Sequence, residues 1–127
     1  MTPTAYIVGM LTDNAESLGI EESNICAFMI DDDLIDHGKP IVVVSENAAG
    51  SHDYGNNNIL GTLRRIQIEF YYPRDFDGDM ELIESRVKGL LHDNNIRCYS
   101  DAGHILAPDN LNITNTLHFN YMEYERN

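Results

Sequence analysis

Two stretches decide most of what this chain can become. Over residues 63–72, Ile66, Ile68 and Phe70 alternate with Arg65, Gln67 and Glu69. Over residues 113–124, Leu117, Phe119 and Tyr121 alternate with His118, Asn120 and Met122. A period of two held this long marks a strand with one buried face, because successive side chains point to opposite sides. Two such strands call for a sheet, and an apolar sheet face must be covered by another layer.

Helical signals supply that layer. Thr2-Pro3 reads as an N-cap followed by proline at the first helical position, where its missing N–H costs nothing. Tyr6, Ile7, Met10 and Leu11 then share a face, with Gly19 as a stop, so a helix is expected over 3–17. Asp79 opens a second helix whose stripe is Met80, Ile83, Val87, Leu90 and Leu91; Asn94-Asn95 ends it. Its early Glu81 and Glu84 and late Arg86, Lys88 and His92 suit the helix dipole. Residues 25–30, 41–45 and 96–100 read as further strands, and residues 102–111 as a turn around Pro108. The stretch 46–58, ENAAGSHDYGNNN, has no period and is rich in Gly and Asn, so a long flexible loop is expected there. The expected architecture is a single α+β domain over residues 1–127. It has one mixed or mostly antiparallel sheet, two helices packed on one face, and the other face available for subunit contact.

Charge narrows the partners. The 127 residues carry 21 acids against 8 Lys plus Arg, a formal net charge of −13. Residues 1–63 hold ten acids and the single base Lys39, while residues 64–127 hold eleven acids and seven bases. Such a field disfavours binding to DNA or RNA phosphates and suits keeping a polyanion moving, or mimicking one. A hydrophobic content of 43% is that of a globular chain. No apolar run approaches the roughly 20 residues of a membrane helix, and the first residues lack the pattern of a signal peptide. Cys26 and Cys98 lie far apart without a CxxC, which reads as two reduced thiols in a soluble, intracellular protein.

Chemistry is sparse. Consecutive Asp31, Asp32 and Asp33, with Asp36 and His37, could attract a hard cation, yet adjacent aspartates cannot all converge on one ion. Counted from Asp75 as a calcium loop, position six is Met80 and position twelve is Arg86, so that motif fails. His52, His92, His104 and His118 show no zinc spacing, and no nucleophile elbow or phosphate loop is present. His104 near Asp101 is an acid–base candidate with no catalytic set around it. The reading is a non-enzymatic chain without cofactor or metal.

A resemblance then becomes arguable. The Thr2-Pro3 helix, the strand 41–46 with its long loop and the Tyr54-Gly55-Asn56-Asn57 cluster come first. The strand 66–72, the acidic second helix, and His104 with Pro108-Asp109 before a long last strand follow. Together these resemble a family of siphophage tail-module proteins from phages of Gram-positive hosts, catalogued as a domain of unknown function. Members are similar to tail terminators. The resemblance implies a self-associating ring, a hexamer, in the virion tail at its head-proximal end, assembled in the host cytoplasm. Its partners would be the major tail tube protein and the head completion or connector protein, with DNA only in passage and no membrane. Asp31, Asp32, Asp33 and Asp36 would then line the lumen. Glu46, His52, Asp53, Tyr54, Gly55, Asn56, Asn57 and Asn58 would touch a neighbour or the tube. The alternatives are another head–tail adaptor or stopper, an acidic DNA mimic inhibiting a host nucleic-acid-binding protein, and a metal-dependent hydrolase built on the aspartates.

Overall fold

The computed structural model describes residues 2–31, 33, 36–47, 52–55, 58–107 and 112–124, with the backbone alone for 52–55 and 58–60. Helix α1 (Pro3–Asp13) begins as the sequence implies, with the Thr2 hydroxyl accepting from the Ala5 amide. It stops at Asn14, whose side chain donates to the Met10 carbonyl and whose amide bonds Leu11. That local competition with the helical ladder breaks the expected 3–17 helix in two. The second piece is α2 (Ala15–Leu18), closed by Gly19 at φ 79. A 3-10 turn (Glu22–Asn24) leads into β1 (Ile25–Ala27).

The remaining elements are β2 (Ile41–Glu46), β3 (His52–Gly55), β4 (Asn58–Tyr72), α3 (Met80–Asp93), β5 (Arg97–Asp101), β6 (Ile105–Leu106) and β7 (Ile113–Tyr124). Asp79 caps α3 by accepting from the Leu82 amide. The helix ends in a Schellman arrangement: the amides of Asn95 and Ile96 bond the carbonyls of His92 and Leu91, with Asn95 left-handed at φ 65.

Among the described residues the strands form one seven-stranded sheet of order β1-β2-β4-β7-β5, with β3 paired to β4 and β6 to β7. β1 and β2 are parallel and every other pairing is antiparallel. The two long strands foreseen from alternation are neighbours, paired from Gly61↔Tyr124 to Tyr72↔Ile113. Ile66, Ile68, Phe70 and Tyr72 of β4 with Leu117 and Phe119 of β7 form the core, together with Ile7, Leu11, Leu18, Val87 and Leu91 from the helices.

This corrects the expected architecture. The fold is dominated by a larger mixed sheet and carries three α-helices among the described residues, so an arrangement of two helices packed on one face does not describe it. The third helix arises from the break at Asn14, and α2 touches both α1 and α3. Residues 46–58 are corrected as well. Glu46 closes β2, residues 52–55 form β3, and Asn58 opens β4. The Gly- and Asn-rich composition hid a strand whose hydrogen bonds come from β4.

Candidate functional site

Three features remain after the core is accounted for: a buried carboxylate, an overhanging arm and two open sheet edges. The carboxylate is Glu84, on the first turns of α3 and only 3% exposed. Its Oε2 accepts from the Tyr72 hydroxyl at 2.6 Å and lies 2.7 Å from His104 Nε2. Its Oε1 accepts from Asn115 Nδ2 at 2.6 Å. That amide nitrogen also reaches Asp101 Oδ1 at 3.0 Å, and Asp101 Oδ2 bonds Lys88 Nζ at 2.8 Å. A charge this far from water persists only when paired and hydrogen-bonded. Three donors from β4, β7 and the link between β5 and β6 meet that need.

Electrostatics follow from these contacts. The Lys88 hydrogen bond, helped by Asn115 and the Gly103 amide, holds the Asp101 carboxyl below its ordinary value against a smaller effect of burial. Burial, then the bond to Glu84, pushes the Tyr72 phenol far above the phenol range. The cluster is a clamp more than an open site. Two grooves, of about 730 and 560 Å³, lie elsewhere, and neither is lined by Glu84, Tyr72 or His104. The sequence pairing of His104 with Asp101 is replaced: His104 meets Glu84, and Asp101 meets Lys88 and Asn115. The sequence assigns Glu84 only a place that suits the helix dipole. The signal that could have found it is its place on the apolar stripe, four residues after Met80 and three before Val87.

The arm is the far half of β4. The last register pair between β2 and β4 is Glu46↔Ile66, and β4 runs on to Asn58. Those eight residues extend about 27 Å at about 3.4 Å each. β3 pairs Asn58, Ile59, Gly61 and Thr62 on one side, and β7 pairs Gly61 to Arg65 on the other, ending at Tyr124. Helix α1 begins at the arm's base. There the Thr4 amide and hydroxyl donate to Glu46 Oε1 at 3.2 and 3.0 Å, and the Tyr6 and Tyr121 rings lie 5.8 Å apart. Arg64 and Glu123 form an ion pair across it at 3.1 Å.

The sequence candidates divide accordingly. His52, Asp53, Tyr54, Gly55 and Asn58 lie on the arm and Glu46 at its base; Asn56 and Asn57 fall outside the described residues. Asp31, Asp33 and Asp36 are exposed beyond β1, while Asp32 lies outside the described residues. Asp31 accepts from the Asp33 amide, and Asp36 accepts from the Gly38 amide and lies 3.8 Å from Lys39 Nζ. Pro108 and Asp109 also lie outside the described residues. Cys26 and Cys98 are free thiols. Among the described residues, no helix is long and apolar enough to cross a membrane.

Compared with known proteins, residues 23–122 match the model of a family described as a protein of unknown function (DUF806). No curated protein matches the chain.

Proposed function

We propose, from the premise that this chain belongs to the DUF806 family, that it is a structural protein of a long-tailed phage. It caps the tail tube as a ring, in the manner of a tail terminator, and offers the surface that joins the head. The observation that carries this reading is the arm. An extension about 27 Å long beyond the β2–β4 pairing, flanked on both sides only at Gly61 and Thr62, contributes little to a monomer's stability and presents open strand edges, which natural chains retain mainly where a partner covers them. Thr4, Glu46, Tyr6 and Tyr121 brace its base, so it projects in a fixed direction.

Two further properties fit an adaptor. The Glu84 cluster consumes its donors in holding helix to sheet, which is the economy of a scaffold. A net charge of −13 disfavours adhesion to duplex phosphates, so DNA leaving through a ring of such chains slides without being held.

The test is assembly. Added to polymerising tail tube protein, the chain should stop elongation and remain at one tube end as a ring, with molar mass by light scattering near that of a hexamer. A variant lacking residues 47–60 should keep its core and lose capping. Tubes that grow unchanged in the presence of the intact chain overturn the reading. Displacement of DNA from a basic host protein favours the DNA mimic instead.

A further inference from the structure

Eight large apolar side chains are exposed among the described residues, and five of them sit at the two outer edges of the sheet. Phe28 and Met29, 60% and 72% exposed, follow directly on β1. Tyr99, Ile105 and Leu106 lie on β5 and β6, along the outer side of β7. Across the order β1-β2-β4-β7-β5 these edges stand about 19 Å apart at about 4.8 Å per strand, so they cannot cover each other within one chain.

The backbone presents Phe28 outward. Its φ of 68 is an outlier for a bulky residue, yet its amide donates to the Val44 carbonyl at 2.8 Å and prolongs the ladder of β1 with β2. The charges at the two edges differ: the β1 side is acidic, and the β5 side carries Arg97, Lys88 and His92 beside Asp93 and Asp101. Exposed Asp31 and Asp33 follow Met29, and the cation on that side, Lys39, is held by Glu21 and Asp36. At the far edge, exposed Arg97 and His92 border the groove of about 560 Å³ between α3 and β5, lined also by Lys88, Gly89 and Cys98. Lys88 is engaged by Asp101, whereas Arg97 has no carboxylate partner among the described residues.

We infer that the β1 edge of one copy docks on the β5–β6 edge of a second copy of this chain. Phe28 and Met29 seat in the groove between α3 and β5, and Asp31 and Asp33 face Arg97. Each copy offers both surfaces, so the contact is heterologous and propagates until it closes a ring or runs on as a filament. The inference rests on the ring reading above and moves Asp31 and Asp33 from the channel wall to the seam.

Two variants test it, each altered at exposed positions. Phe28→Asp with Met29→Asp disables one edge; Arg97→Glu with Tyr99→Asp disables the other. Light scattering over a concentration series should show each variant monomeric, with association weakened at least about tenfold relative to the unaltered chain. A one-to-one mixture should give a heterodimer and nothing larger, because one intact edge of each kind remains. That dimer also shows both variants folded, since a misfolded copy cannot dock. A mixture that stays monomeric, or either variant assembling as the unaltered chain does, overturns the inference. If the unaltered chain closes rings and the variants keep them, the seam lies elsewhere and the ring stands. If the mixture dimerises but the unaltered chain forms only open chains, the seam holds and the closed ring fails.

Discussion

Tyr72 donates its phenolic hydrogen to Glu84 at 2.6 Å, joining the last residue of the central strand to the buried side of α3. Both groups are almost out of water, at 0% and 3% exposure, so the bond is made where an unmet partner costs most. It sets the position of α3 on the sheet, and His104 and Asn115 complete the same carboxylate from the link between β5 and β6 and from β7.

Glu84→Ala strands three donors at once and leaves a cavity, so unfolding free energy should fall by about 3–5 kcal/mol. Tyr72→Phe removes one donor to a charged acceptor and should cost about 1.5–3 kcal/mol. Denaturant midpoints at constant slope measure both. Equal losses for the two variants would mean that Tyr72 alone supports Glu84.

The Lys88–Asp101 pair is similar in length but half-exposed, so Lys88→Ala should cost less than about 1 kcal/mol, and less in high salt. Asp101's folded value lies below the 3.8 of the unfolded chain. Its contribution is therefore present above that pH and is lost as pH falls through the folded value. Asp101→Asn should flatten this part of the acid limb in a pH series of melts.

Alkali acts in the opposite sense. Burial first, then the hydrogen bond from Tyr71 to Glu69, pushes the Tyr71 phenol up to about 12; burial, then the charge of Glu123, does the same for Tyr121. Tyr72 lies higher still. The unfolded chain releases these protons near 10, so stability is full below that pH and declines as pH rises towards 12. Absorbance at phenolate wavelengths should show these three ionising with unfolding. Full ionisation at pH 10.5 with native circular dichroism would contradict their burial.

The legibility of the fold tracks the source of each element's order. β7 was read to its last residue because its alternation is written in its own side chains. β4 begins five residues before its alternation does, since Asn58, Gly61 and Thr62 carry no such pattern; Gly61 and Thr62 owe their extended shape to β3 and β7 on either side, and Asn58 to β3. The break at Asn14 was missed because a side chain bonding its own helix leaves no trace in hydrophobic periodicity. Glu84 was legible as helical but not as buried. Its partners Tyr72, His104 and Asn115 lie 12, 20 and 31 residues away, and only the sheet brings them together.

Phe28 is held in a left-handed conformation that asparagine tolerates better, and its side chain is mostly exposed. Phe28→Asn should therefore raise unfolding free energy by about 0.5–1 kcal/mol, part of the cost of a left-handed bulky residue. Thermal melts measure it. A gain in stability with a loss of self-association is the expected signature of a residue kept for contact. A loss of stability would place the ring of Phe28 against the core.

Gly61 tests whether the arm is a separate unit of stability. A Cβ there would meet Met122 Sδ at 3.0 Å, the Glu123 carbonyl oxygen at 3.2 Å and Tyr124 Cδ1 at 3.2 Å. The sulfur can swing aside; the carbonyl belongs to the ladder with β7 and can move only by opening it. Strand propensity alone predicts that Gly61→Val stabilises, because valine favours extended backbone. The contact predicts the reverse, confined to the arm. Hydrogen exchange at residues 122–124 should accelerate at least about tenfold while the core around Ile66 and Phe119 keeps its protection, as local opening below the global transition requires. The global unfolding free energy should change by less than about 1 kcal/mol, and tube capping should be lost. If exchange instead rises throughout the sheet, the arm and the core unfold as one, and the arm is part of the fold's stability as well as its reach.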